Sequence, residues 1–217
     1  FGFNEVGSIR KSNGKVTCCH FSSDGKLLAS AGHDKKAVLW NMETLETECT
    51  PEEHTHIITD IRFRPNSTQL ATSSFDTTVR VWDAAQVYPL APLFLHLCVI
   101  LSYGPLSPVS FVGGCSNVRF QPRIGQFLAA AAETVVSIVD VETDRRTQLL
   151  QGHNTEVHSI CWDTNGDFLA SVSQDSVRVW SLASGECIHE LNSSGNKFHS
   201  CVFHPSFPAL LVVSGYQ

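Results

Sequence analysis

Basic residues are scarce and dispersed in this chain. Lys and Arg total 15 against 21 Asp and Glu, the net charge is −6, and no basic run exceeds Lys35-Lys36 or Arg145-Arg146. Direct binding of DNA or RNA needs a phosphate-neutralising stripe, so that class is excluded. Neither G-x-x-x-x-G-K-S/T nor G-x-G-x-x-G occurs, which removes both glycine-rich phosphate cradles. The eight cysteines (Cys18, Cys19, Cys49, Cys98, Cys115, Cys161, Cys187, Cys201) form no C-x-x-C and no ladder of fixed spacings. They are read as small buried thiols of a reducing compartment. Residues 1–15 have no charged start followed by an apolar core, so a secretory route is not expected. Without that route Asn66-Ser67-Thr68 and Asn192-Ser193-Ser194 carry no glycosylation expectation. The longest apolar run, 90–103, is shorter than the roughly 18 residues of a membrane helix and is interrupted by Pro92.

What the chain does have is a period. Phe21, Phe63, Phe120, Trp162 and Phe203 are separated by 42, 57, 42 and 41 residues, each inside an equivalent phrase such as Ile61-Arg62-Phe63-Arg64-Pro65 or Cys201-Val202-Phe203-His204-Pro205. A period near 40 indicates a repeat architecture. With 42% apolar residues, the chain is long enough to bury about 70% of its unfolded surface.

Each unit reads as strands. Residues 57–63 alternate apolar and polar, 65–67 turn, 69–74 form a second strand, and 78–83 a third rich in β-branched residues. Val16 to Phe21, Leu27 to Ala31 and Ala37 to Asn41 repeat the plan, as do Val157 to Trp162, Phe168 to Ser173 and Val177 to Trp180. Asp24-Gly25 and Asn165-Gly166 are read as tight hairpin turns. Fourth strands are expected at 147–150 and 187–191.

Gly152-His153, Trp82-Asp83 and this strand plan resemble WD40 repeats. The wording of residues 20–40, 62–83, 118–131 and 198–211 is similar to plant LEUNIG-type, Groucho-like transcriptional co-repressors. The resemblance implies an all-β, incomplete propeller of four-stranded blades. It implies a structural tetrad of His54, Thr72, Asp76 and Trp82 in one unit and His153, Ser171, Asp175 and Trp180 in another. A first unit keeps Ser30, Asp34 and Trp40 without a histidine. In each tetrad the Asp is expected to accept from the His ring, with the indole N–H closing the network.

One interval is 15 residues too long for one repeat and 27 too short for two. Residues 84–116 are read as an irregular apolar segment without alternation, Asp-turn or Trp. Either it is a buried irregular element, or, as favoured here, it stands where a blade should be, through altered splicing or a misplaced exon boundary. The expected organisation is therefore 1–14 as lead-in with an outer closing strand at 5–10, 15–83 as two blades, 84–116 as the substitute, and 117–217 as two blades and part of another. By the resemblance a further blade would follow, so an open arc is expected.

His54-x-His56 and Cys18-Cys19-His20 do not converge three metal ligands on one strand face, so no metal or cofactor is expected. The Ser, His and Asp of each tetrad match a hydrolase triad only in composition. Arg80 and Arg178 are read as outward, solvated strand residues. The candidate partner-binding face comprises His33, Lys35, His56, Phe75, Glu156 and Gln174. The resemblance implies a non-catalytic scaffold in the nucleus (otherwise the cytosol), reaching DNA through adaptor proteins and recruiting chromatin-modifying or mediator components. No small-molecule substrate, membrane or direct nucleic-acid partner is expected. The alternatives are a substrate receptor of a ubiquitin ligase, or a non-functional truncated splice product. Trp82-Asp83-Ala84-Ala85 and Trp180-Ser181-Leu182-Ala183 lack the Trp-Asp-x-Arg of cullin-ligase receptors.

Overall fold

Short β-branched and alternating segments separated by Gly, Asn and Asp turns become strands, and a computed structural model shows how they are stacked. It describes residues 2, 8–50, 54–87, 99–102 and 114–216. The first sheet holds β1 (Val16–Phe21), β2 (Leu27–Gly32), β3 (Val38–Asn41) and β4 (Thr47–Cys49). The second holds β5 (Ile58–Phe63), β6 (Gln69–Ser74), β7 (Thr78–Asp83) and, after the one-turn helix α1 (Ala84–Val87), β8 (Val99–Ser102). The third holds β9 (Cys115–Phe120), β10 (Phe127–Ala132), β11 (Val135–Asp140) and β12 (Arg145–Gln151). The fourth holds β13 (Val157–Trp162), β14 (Phe168–Ser173), β15 (Ser176–Ser181) and β16 (Cys187–Asn192). β17 (Lys197–Phe203) and β18 (Leu211–Tyr216) pair as a fifth sheet. All pairings are antiparallel, and the sheets form an arc that does not close.

The first strands lie one against the next, β1 on β5, β5 on β9, β9 on β13 and β13 on β17. Between neighbouring sheets sits the core. Ala29, Ala31, Ala37 and Leu39 of the first sheet pack on Ile58, Ile61, Phe63, Leu70 and Trp82 of the second. Ala71, Val79 and Val81 meet Val118, Phe120, Leu128 and Val139 of the third. The later seams repeat the pattern, with Ala129, Ala131 and Ile138 on Val157, Ile160 and Leu169, then Ala170, Val172 and Val177 on Cys201 and Phe203. Small residues on one side and large ones on the other let twisted sheets interdigitate. The aromatic anchors point back to the preceding sheet. Phe63, Phe120 and Phe203 are 4%, 8% and 8% exposed, whereas Phe21, on the first sheet, is 53% exposed.

Every first strand carries a β-bulge at the same place. The pairing skips Thr17, Thr59, Ser116, His158 and His199, each four residues before its aromatic anchor. A bulge leaves one residue unpaired and re-aims its side chain. Here the freed side chain crosses the seam. Thr17 Oγ1 donates to Ile58 O at 2.7 Å, Thr59 Oγ1 to Cys115 O at 2.6 Å, Ser116 Oγ to Val157 O at 2.7 Å, and the His158 ring to Phe198 O at 3.1 Å. The seam between sheets two and three is therefore built like the others, although 57 residues rather than about 42 separate its anchors.

Three details differ from the sequence reading. Part of the stretch 84–116 is regular: Val99–Ser102 pairs with β7 as the outer strand of sheet two, and Cys115 and Ser116 already belong to β9. An edge strand needs no alternation, and β7 offers a free edge to a β-branched run. Residues 88–98 and 103–113 lie outside the described residues. Of the closing strand expected at 5–10, residues 8–10 are not strand and 5–7 lie outside the described residues. Asp24-Gly25 and Asn165-Gly166 sit inside longer loops (22–26 and 163–167), where Gly25 and Gly166 take φ of 72° and 81°. At Gly166 the backbone also approaches the third sheet, and Gln121 Nε2 donates to its carbonyl at 2.9 Å.

Candidate functional site

At one end of the sheets, the β2–β3, β6–β7 and β14–β15 turns meet the segments entering each first strand. Beneath that surface, indoles from third strands are clamped by hydroxyls from second strands. In sheet two the clamp is continuous. Trp82 Nε1 donates to Thr72 Oγ1 at 3.0 Å, Thr72 Oγ1 lies 2.8 Å from His54 Nε2, and His54 Nδ1 lies 2.8 Å from Asp76 Oδ2. A carboxylate only accepts, so the ring proton is on Nδ1 and Nε2 accepts from Thr72. Burial alone would raise the Asp76 carboxyl, but hydrogen bonds from Thr78 and His54 outweigh it and hold it below the usual range. His54 itself is pushed down, chiefly by burial.

The fourth sheet differs from the expected network. Trp180 Nε1 donates to Ser171 Oγ at 2.8 Å, and Ser171 Oγ lies 2.6 Å from His153 Nε2. The other ring nitrogen, however, meets Ser173 and Ser176 hydroxyls at 2.9 and 2.8 Å rather than Asp175. Asp175 is one hydroxyl further out, accepting from Ser173 and from Thr155, each at 2.7 Å. The extra serines fill the space between ring and carboxylate, so the charge is reached by relay. In the first sheet Trp40 Nε1 donates to Ser30 Oγ at 2.9 Å. With no histidine there, Asp34 instead takes the Asn13 amide at 2.9 Å and the Ser12 hydroxyl, tying down the lead-in. In the third sheet Ala130 and Val139 occupy the hydroxyl and indole positions, both in the apolar core. Removing both partners avoids an orphaned polar group.

Arg80 and Arg178 are not solvated. Arg80 is 9% exposed with its guanidinium 6.0 Å from the Trp82 ring centre, and Arg178 stands 5.9 Å from that of Trp180 while pairing with Glu190 at 2.8 Å. Residues i and i+2 of a strand share a face, so each arginine lies over its indole and gains cation–π attraction. Gly152 makes room for this: a Cβ there would stand 2.3 Å from Arg178 Nη1.

His33, Lys35, His56, Phe75, Glu156 and Gln174 are all exposed. His56 and Phe75 meet edge to face at 6.0 Å, with Phe75 47% exposed above the clamp of sheet two. Glu156 and Gln174 line a cleft of about 480 Å³ shared with His158, His199 and Tyr216. His33 and Lys35 stand on the first sheet, and the Lys35 carbonyl accepts from the His54 amide at 2.9 Å. The six residues thus come from sheets one, two and four. The tetrad hydroxyls Thr72 and Ser171 are fully buried, so no substrate reaches them. Among the described residues no group of three or more His, Cys, Asp or Glu is placed to hold a metal.

The sequence reading missed a charged seam. Asp60, 3% exposed, accepts from Arg119 and pairs with Arg62 at 3.2 Å, and it also takes the Val118 amide at 3.2 Å. Neighbouring His20 accepts the Phe63 amide at 3.0 Å and is pushed down to about 4 by burial and by Arg62 and Arg119. Aligning the third and fifth residues of each first strand would have placed these groups at seams.

A family model described as "WD domain, G-beta repeat" matches residues 3–41, 46–83 and 144–181. The chain belongs to the WD40 repeat family. The second and third of these matched units run from the outer strand of one sheet through the first three strands of the next, so WD40 repeats interlock adjacent blades. The third blade's own first three strands, with Ala130 and Val139, fall outside the match. Along its whole length the chain is 57% identical to "Transcriptional corepressor LEUNIG_HOMOLOG" of Arabidopsis thaliana, covering 31% of that protein. Over 83% of its length it is 28% identical to "WD repeat-containing protein 18" of Danio rerio, covering 44% of it. Over 77% it is 27% identical to "Periodic tryptophan protein 2" of Arabidopsis thaliana, covering 17%. The chain thus spans less than half the length of each of these relatives.

Burial pushes His153 down from 6.5 to about 4, with Arg178 adding to the shift. A histidine kept neutral in the fold protonates first in the unfolded chain, so stability falls as pH drops through 6.5 and the loss levels off near 4. At pH 5 this amounts to about 2 kcal/mol from His153. Urea unfolding midpoints at pH 7 and pH 5 test it. The His153→Gln variant is less stable at pH 7 but loses less on acidification, whereas an equal loss in both proteins contradicts the assignment.

Proposed function

We propose that this chain is a non-catalytic protein-interaction scaffold, the WD40 part of a nuclear transcriptional co-repressor that is brought to DNA by adaptor proteins. The observation carrying this reading is the full-length identity of 57% to an Arabidopsis transcriptional corepressor. The structure supports it through what is buried and what is displayed. The polar groups that resemble catalytic machinery are sealed under indoles, while His33, Lys35, His56, Phe75, Glu156 and Gln174 are exposed on turns and strand-entry segments. Interfaces favour aromatic anchors that become buried on binding, and the half-exposed Phe75 offers one. Chromatin-modifying or mediator components are the proposed partners.

We also read residues 84–116 as standing in the place of a blade, with Val99–Ser102 retained as an edge strand. The seam bond from Thr59 to Cys115 O joins sheets two and three directly. The alignment to the Arabidopsis corepressor spans 243 positions against 217 residues here, so at least 26 positions of the relative have no counterpart. That deficit matches the 27 residues by which the Phe63–Phe120 interval falls short of two repeats. Transcript and genomic sequence across codons 84–116 checks this reading. Coding sequence running into intronic bases is expected, and a properly spliced exon in abundant message contradicts it.

Co-purification from plant nuclear extract tests the scaffold, comparing the chain with the paired His56→Ala and Phe75→Ala variant. Deacetylase or mediator subunits bound by the first and lost by the second, at unchanged urea midpoint, are expected. Cullin subunits point instead to a ubiquitin-ligase receptor, and chaperones alone to a non-functional product.

A further inference from the structure

We propose that Cys161 and Cys201 are a modification site, at which a peroxide oxidant forms a disulfide that staples the fourth sheet to the fifth. The two sulfurs face each other across the seam at 3.2 Å. Cys161 is the fifth residue of β13, a position that faces the following sheet, and Cys201 lies on β17 among the buried residues that face back. A disulfide bond is about 2.05 Å long, so the sulfurs need approach by only about 1 Å. The seam already fixes the strands on either side. His158 donates to Phe198 O at 3.1 Å, Ser159 and Ser200 hydroxyls stand 3.4 Å apart, and Phe203 packs with Ala170, Val172 and Val177.

The pair is set apart from the other core thiols. Burial pushes Cys18 up to about 11 and Cys115 up to about 12, which leaves them protonated and inert. Cys161 moves the other way, chiefly through its hydrogen bond with Cys201, with the nearby Arg119 charge adding to it. It is also partly exposed, while Cys201 is buried. Cys161 is therefore the attacking thiol and Cys201 the resolving one.

The Cys161 thiolate attacks one oxygen of hydrogen peroxide, the O–O bond breaks, and the leaving hydroxide takes the proton that Cys161 gave up, leaving as water with Cys161 as a sulfenic acid. The Cys201 sulfur then attacks the Cys161 sulfur, the S–O bond breaks, and hydroxide leaves with the Cys201 proton as a second water. Two thiols are oxidised and one peroxide is reduced.

The test treats the full chain with hydrogen peroxide and reads intact mass, peptides mapped without reductant, and urea midpoint. Loss of two hydrogen atoms, a Cys161–Cys201 crosslinked peptide, a raised midpoint and full reversal by a dithiol are expected. Cys161→Ser abolishes all four, and Cys19→Ser, at an exposed site, changes none. Sulfinic acid at Cys161 with Cys201 still open to alkylation after unfolding overturns the proposal, as does either cysteine crosslinked elsewhere. Mapping of the unsubstituted chain decides the matter even if Cys161→Ser does not fold.

Discussion

A bulge in the first strand of every sheet is the constraint on which the structure depends. A four-stranded sheet cannot bury its faces alone, so each must lie against the next at a fixed offset. By skipping Thr17, Thr59, Ser116 and His158 in the pairing, the bulge turns one donor outward to a carbonyl at the start of the next sheet's first strand. Such a bond adds about 1 kcal/mol net, and burying a large apolar side chain adds about 1.5–3 kcal/mol. Each seam buries several such side chains. Apolar contact therefore supplies the stability, and the directional bond supplies the register. The contrast between Phe63 and Phe21, 4% and 53% exposed, shows what the neighbouring sheet contributes.

Under the displayed end, the indole clamps vary in a consistent way. Sheet two has a complete chain from indole to carboxylate, sheet four inserts serine hydroxyls, sheet one keeps only the indole and hydroxyl, and sheet three replaces both by apolar residues. No variant leaves the indole or the hydroxyl stranded. That follows from the cost of an unsatisfied buried polar group, which exceeds the gain from one hydrogen bond. The arginines over Trp82 and Trp180 extend the same logic, covering the indole with a guanidinium and bringing Glu190 to one of them.

Much of this was legible in the sequence, because the repeat writes each first strand, anchor and indole in nearly the same words. Strand positions around Phe21, Phe63, Trp162 and Phe203 needed only periodicity. What could not be read depends on relations between repeats. Val99–Ser102 became a strand because β7 offered an edge, not because its own pattern alternates. Arg80 and Arg178 look solvated by alternation, yet they share a face with the indole two residues on. Asp175 stands five residues before Trp180, against six from Asp76 to Trp82, and two serines lie between it and the ring. The facing of Cys161 and Cys201 emerges only when the fourth and fifth sheets are laid together.

Sheets two and three are direct neighbours across the seam that Asp60 and Cys115 share. The amide of Phe63 points away from its own second strand, whose bond goes instead to Arg64 next along. Gln121 is bonded in the same way, so by alternation the amide of Val118, three residues earlier, also points away from its second strand. Both amides are held only across seams, by His20 at 3.0 Å and Asp60 at 3.2 Å. Hydrogen exchange at these two amides is the decisive measurement. Comparable protection at both is the expected result. A protected Phe63 with Val118 exchanging like an open chain would contradict the account, because it would mean that residues 84–116 hold the two sheets apart.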